Sequence, residues 1–283
     1  MLMHGSARSH TKVACSMIEF RHDRRRPASE SVAGKRIVIT DACSDIGRAT
    51  ARLLALQGAE VLLVARRGDL LISDTNTIVQ AGGTARWHRC DMSALGDVDQ
   101  LVEWAVAEFE RIDVLVNNAG RPLRRPVLQS LDKFRDYQRM MAANYFGPLR
   151  LTLGLIPAML ASGSGHVVNV GPWSLSTGAA PNFASYASAQ AAWTTFGDCA
   201  DAELSPRGIH VTSVQYPAFK ADAESPDYYA EHPVSVPAEA ARWIEHAIRT
   251  RPSRVEPRFS RTLRGLAGVA PRSTSRLMHA FGM

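Results

Sequence analysis

The chain has 283 residues, 46% of them apolar, and a formal net charge of +6, which describes a soluble globular protein able to bury a full core in one domain. It contains no run of 18 uncharged apolar residues, so no transmembrane segment is expected; Cys15, Cys43, Cys90 and Cys199 are too scattered for a metal site or a disulfide framework, which fits a reducing cytoplasm. The positive charge lies at the ends, with Arg24-Arg25-Arg26 in front and eight arginines against Glu256 between Arg249 and Met283, and nothing resembles a nucleic-acid module.

Residues 1–34 carry no apolar periodicity and read as a disordered extension. With Glu19 as the first acid, a start at Met17 explains the acid-free stretch better than a transit peptide. Lys35 opens a domain expected to reach residue 258, followed by a basic tail over 259–283. Arg36 to Thr40 is a β-rich run, Ile46 to Gln57 has helical spacing, and Glu60 to Val64 is a second buried strand. The alternation continues with expected strands at 85–90, 114–117, 165–170 and 209–215. Expected helices cover 98–110, 131–161, 186–204 and 237–249.

Strands that are apolar throughout imply burial on both faces and a parallel sheet. The fold class is therefore α/β: a Rossmann-like doubly wound parallel sheet of about seven strands, in three α/β/α layers. Ligands in such folds lie beyond the carboxyl ends of the strands.

The motifs fall at those ends. They are Thr40-Asp41-Ala42-Cys43-Ser44-Asp45-Ile46-Gly47 after the first strand, Cys90-Asp91-Met92 after the third, Asn117-Asn118-Ala119-Gly120 after the fourth, Asn144 in a helix, and Tyr186 at a helix start. In this order they resemble the short-chain dehydrogenase/reductase family over roughly residues 34 to 255, and from Asn117 to Phe183 the reductase domains of bacterial fatty acyl-CoA reductases. The resemblance implies an NADP(H)-type oxidoreductase acting on a small hydrophobic carbonyl or alcohol. It also implies a homo- or hetero-oligomer formed through the two long helices.

For the cofactor, the resemblance assigns Thr40, Ser44, Ile46, Gly47, Arg66, Arg67, Asp91, Met92, Asn118, Ala119 and Gly120. Two of the three glycines in the family's first turn are Asp41 and Asp45 here. A carboxylate about 4 Å from a phosphate charge costs roughly 1 kcal/mol in water and about 4 at an effective dielectric near 20. Arg66 and Arg67 follow the second strand, where arginine favours the 2′-phosphate of NADP, with Arg48 placed to assist.

For the chemistry, the resemblance assigns Tyr186, Asn144, Gln190 and Ser174. The family's lysine, four residues after the tyrosine, is Gln190, and its serine falls on Pro172, with Ser174 the nearest hydroxyl. A free phenol has a pKa near 10, so bringing it to 7 takes about 4 kcal/mol of phenolate stabilisation, which a cation supplies and an amide does not. The family's threonine beyond the sixth strand is Ala221, and 222–233 reads as a substrate lid. Three functional classes follow: a reductase with an altered proton relay, a non-redox enzyme (cyclase, dehydratase or isomerase) that uses neutral Tyr186, and a non-catalytic partner subunit.

Overall fold

The structure, a computed structural model, describes residues 29–118, 120, 122–173, 180–216, 237–270, 272–274 and 276. Its first strand, β1 (Arg36–Thr40), shows why the sheet is buried on both sides. Ile37 and Ile39 enter one core while Val38 enters the other, as the two-residue period of a strand requires. β2 (Glu60–Ala65) does the same, with Val61 and Leu63 on one side and Leu62 and Val64 on the other.

With β3 (Thr84–Arg89), β4 (Val114–Asn117), β5 (Gly165–Pro172), β6 (Ile209–Tyr216) and β7 (Arg254–Val255) they form a seven-stranded sheet ordered β3-β2-β1-β4-β5-β6-β7. Every neighbouring pair is parallel. The order reverses between β1 and β4, the switch point at which doubly wound sheets bind ligands.

Helices α1 (Asp45–Leu56), α2 (Gly68–Gln80) and α7 (Pro237–Thr250) supply Leu54, Leu71, Ile78, Ile244 and Ile248 to one core. Helices α3 (Leu95–Glu108), α5 (Gly147–Ala161) and α6 (Ala184–Leu204) supply Leu101, Leu155, Met159 and Ala200 to the other. Among the described residues no helix is long and apolar enough to cross a membrane.

Several elements differ from expectation. The long helix expected over 131–161 starts later, as α4 (Phe134–Met141), and passes through one π-helical turn, Ala142–Phe146, before α5. Helix α2 has no counterpart among the expected elements, because its sequence mixes Thr, Asn and Ser with β-branched residues and lacks a clean apolar stripe. Not every strand is buried. β3 is the sheet's edge, and Trp87 in it is 40% exposed.

The described residues on both sides of the expected domain are packed against it. Val32 is buried, and the Glu30 amide donates to Arg249 O at 3.0 Å, so the ordered unit begins before the expected boundary at residue 35. Burial of Glu30 favours its neutral form, yet hydrogen bonds and charge from Lys35 and Arg251 hold its carboxyl below the ordinary value. Beyond β7 the chain forms α8 (Arg258–Val269). The surplus of arginines in this region is partly spent internally: Arg249 pairs with Glu245 at 2.8 Å, Arg251 with Glu30 at 3.0 Å, Arg254 with Asp198 at 3.0 Å and Arg264 with Glu256 at 2.8 Å.

Candidate functional site

Two clusters form at the carboxyl ends of the strands. The first is the turn that joins β1 to α1. Asp41 sits at φ 48°, in the left-handed region that Asp tolerates better than most residues. Ser44 caps α1: its hydroxyl donates to Asp41 O at 2.7 Å and accepts from the Gly47 amide at 3.2 Å. The turn closes so tightly over Gly47 that a Cβ there would lie 2.4 Å from Asp41 O.

Asn118, just past β4, fastens this turn. Its side-chain amide donates to Ser44 Oγ at 3.1 Å, and its backbone amide donates to Thr40 Oγ1 at 3.0 Å. Thr40, Ser44, Gly47 and Asn118 are thus brought together, with Ile46 packed against the core beneath them. Asp45 opens α1. Its carboxylate complements the positive end of the helix dipole, the position in which a pyrophosphate rests in dinucleotide folds.

Arg66 and Arg67 follow β2 and are exposed. The Arg67 guanidinium pairs with Asp69 at 3.0 Å, and Arg66 O accepts from Arg89 Nε at 3.2 Å. Asp91 lies close by. Burial opposes its ionisation, but hydrogen bonds from Ser93, with Arg66 and Arg89, hold its carboxyl below the usual range. Met92 is buried, and its carbonyl oxygen lies so near Gly147 that a Cβ at Gly147 would sit 1.8 Å from it.

Arg48 does not reach toward this group. Its Nε contacts the buried Asp74 of α2 at 2.8 Å, because a carboxylate held out of water needs a cation. Burial, with Asp74 beside it, pushes the Cys43 thiol up to about 11, which makes it unreactive at neutral pH.

The second cluster is marked by Gly120. A Cβ at Gly120 would lie 3.3 Å from Asn144 Oδ1, 3.5 Å from Gln190 Nε2 and 3.5 Å from Tyr186 Oη, so three side-chain ends from two elements meet at one point. Tyr186 and Gln190 stand one helical turn apart on α6, and both are buried. Asn144 comes from the π-helical turn, a local widening often found at functional positions. Its Nδ2 donates to Met140 O at 2.9 Å, while its buried Oδ1 has no partner among the described residues.

Gln190 Oε1 points the other way, and a Cβ at Gly171 would lie 3.1 Å from it. Pro172 ends β5 opposite Tyr216, and Trp173 is buried edge-on against Phe259 of α8 at 4.7 Å. Ser174 and Ala119 lie outside the described residues, as do Ala221 and the segment expected to form a lid.

The polar layer behind Gln190 was not among the expected site features. A cavity of about 530 Å³ lies between α6, β5, β6 and α8, lined among others by Asn169, Gly171, Pro172, Gln190, Gln215 and Arg264. Asn169 Nδ2 and Gln215 Oε1 are buried there with no partner among the described residues, which is the environment that holds ordered water or a polar ligand. The sequence carries a signal for it: Asn169 and Gly171 on β5, and Ser213 and Gln215 on β6, recur at every second residue and so share one face.

This fold, with its fastened β1 turn and its tyrosine on α6, defines a Rossmann-like α/β protein of the short-chain type. The family model for short chain dehydrogenase matches residues 35–230, and the chain belongs to that family. It is 40% identical over 256 residues to a fatty acyl-CoA reductase of Mycobacterium tuberculosis, covering 89% of this chain and 87% of that protein. It is 36% identical over 250 residues to a fatty acyl-CoA reductase of Acinetobacter baylyi, covering 88% and 84%. Among solved structures it is similar to a metagenomic short-chain oxidoreductase in complex with NADP, with a TM-score of 0.70, 28% identity, and coverage of 80% of this chain and 97% of that one.

Proposed function

We propose that the protein is an NADP(H)-type oxidoreductase of the cytoplasm that acts on a small hydrophobic carbonyl or alcohol, with its proton relay altered at Gln190 and Pro172. The observation that carries this reading is the meeting of Tyr186, Asn144 and Gln190 at Gly120, beside the turn fastened by Asn118. The names of the two fatty acyl-CoA reductases support the carbonyl class.

The residues fit the nucleotide best on its adenosine side. The Gly47 cradle, the capped end of α1 and Asn118 would hold the pyrophosphate, and Arg66 and Arg67 would take a 2′-phosphate. Asp45 opposes phosphate charge and weakens that hold. When bound, NADPH supplies the hydride. Tyr186 would then donate the proton from Oη to the carbonyl oxygen. Asn144 Oδ1 would accept a hydrogen bond in the same small space, and Gln190 Nε2 would donate one without adding charge. Without an ammonium at position 190 the step is slower, because an amide does not stabilise the phenolate left after proton transfer as a cation does.

The neutral Gln190 also favours a second reading, in which Tyr186 stays protonated and serves a non-redox conversion on the same scaffold. A third is a non-catalytic subunit of a homo- or hetero-oligomer, for which the exposed Leu153 and Leu160 on α5 provide an apolar face.

Titration with NADPH and NADH, followed by assays with long-chain aldehydes and ketones at 340 nm, tests the first reading. Micromolar NADPH binding with turnover that collapses in Tyr186→Phe supports it. Substrate conversion without a change at 340 nm points to the second reading, and no conversion with a stable hetero-complex points to the third. Reductase activity that appears only in Gln190→Lys combined with Pro172→Ser would show that the native chain is not a conventional reductase.

A further inference from the structure

Between β4 and α5 the chain displays an apolar cluster that no core contains. Val127, Leu128, Leu131 and Phe134 are exposed by 56%, 83%, 79% and 70%. Single exposed apolar residues are ordinary on soluble proteins, but four large ones within eight residues form a patch that calls for a partner. The charge of this segment is mainly positive. From Gly120 to Met141 there are six cations and two acids. Both acids are already matched, Asp132 by Lys133 at 2.6 Å and Asp136 by Arg125 at 3.0 Å. Arg135 and Arg139 on α4 are exposed and add surplus positive charge beside the leucines.

The patch also borders the site. The Arg125 amide donates to Asn182 O at 2.6 Å, which ties this segment to the residues just before α6 and Tyr186. Gly120, where the three site side chains meet, opens the same segment.

We propose that this segment docks the protein on an anionic lipid surface. Leu128, Leu131 and Phe134 enter the boundary between headgroups and acyl chains, and Arg135 and Arg139 rest on lipid phosphates. Apolar side chains flanked by arginines match that interface on both counts. A second copy of the chain fits less well, since an isologous contact through this patch would set like charges against each other. Docked in this way, the protein presents its site at the depth where an apolar carbonyl compound dissolves. The docking itself does not depend on hydride transfer.

The test is co-sedimentation of the full chain with vesicles of phosphatidylcholine alone and with about one third phosphatidylglycerol. Binding to the anionic vesicles should exceed binding to the neutral ones by about tenfold, and raised salt should reduce it. Leu128→Asp with Leu131→Asp should lower the partition coefficient about a hundredfold, and Arg135→Gln with Arg139→Gln about tenfold. NADPH affinity measured on the same variants shows whether the fold and the nucleotide site remain intact, and so separates this test from that of the reductase reading. Absence of vesicle binding overturns the proposal, as does binding that survives the leucine substitutions. It is equally overturned if those substitutions split an oligomer in light scattering, or if the patch captures only an acidic protein.

Discussion

The turn after β1 and the strand end at Pro172 both lie at the carboxyl ends of the strands of one sheet, yet they have absorbed substitution differently. In the turn, two glycines of the family pattern are aspartates, and the geometry is kept. Asp41 adopts the left-handed conformation at φ 48°, Ser44 caps the helix, and Gly47 remains where a Cβ would lie 2.4 Å from a carbonyl oxygen. At the other place, Pro172 and Gln190 stand where the family resemblance implies a hydroxyl and an ammonium, and a change of backbone conformation does not supply such groups. A conformation can be reached by more than one residue type, but a proton donor or a charge belongs to the side chain that carries it.

The largest effect should come from Tyr186→Phe. If Tyr186 supplies the proton, conversion falls by about 10²- to 10⁴-fold while NADPH affinity changes by no more than about twofold. Single-turnover assays beside a binding titration separate the two quantities. Unchanged conversion would make the second region as purely architectural as the first, and the contrast would vanish.

Gly47→Ala comes next and attacks the geometry of the turn directly. The new methyl meets backbone atoms at 2.4 Å, 2.7 Å and 2.9 Å, none of which is a flexible side-chain end. A loss of about 3 kcal/mol is expected, seen as a fall of roughly 10 °C in Tm, together with loss of NADPH binding. A variant with native Tm and native affinity would show that the turn is less constrained than its contacts indicate.

Asp45→Asn is a smaller change with the opposite sign. It removes a charge from the place where phosphate rests and should tighten NADPH about tenfold at low salt, with the gain shrinking as salt rises. An unchanged constant would mean that Asp45 points its charge elsewhere.

Much of this was legible in the sequence because it rests on repeated patterns. The runs at Ile37 and Val61 announce strands buried on both faces, and the spacing from Thr40 to Gly47 announces the turn. What stayed hidden depends on contacts between distant segments. Arg48 looks like a phosphate ligand until Asp74, 26 residues away, is seen to hold it. The helix break at Ala142–Phe146 is followed directly by Gly147-Pro148, a pair that also occurs at an ordinary helix start and so does not by itself place a π-helical turn. The cavity behind Gln190 arises from two strands and two helices whose polar residues come together only in three dimensions.

The smallest predicted effect guards the interpretation of any pH profile. His166, near the start of the strand that ends at Pro172, is fully buried. Its Nε2 lies 2.8 Å from Thr212 Oγ1, and its Nδ1 has no partner among the described residues. The Thr212 hydroxyl donates to Pro252 O, so Nε2 carries the proton given to Thr212. Burial, and then the charges of Arg251, His210 and Lys35, push the imidazole well below its ordinary 6.5. The unfolded chain therefore takes up a proton that the folded chain refuses. Stability is at its full value above pH 6.5 and falls as the pH drops below it, by up to about 1.4 kcal/mol per unit. His88 is also lowered by burial and acts in the same direction. In urea titrations, His166→Gln should flatten the decline between pH 6.5 and about 5. Because the Asn144 and Gln190 amides at Gly120 do not titrate in this range, acid loss of activity should follow unfolding and flatten in the same variant. An acid limb that persists in His166→Gln while stability no longer declines would place a titrating proton donor inside the site, and the second region would then have kept its chemistry as the first has kept its shape.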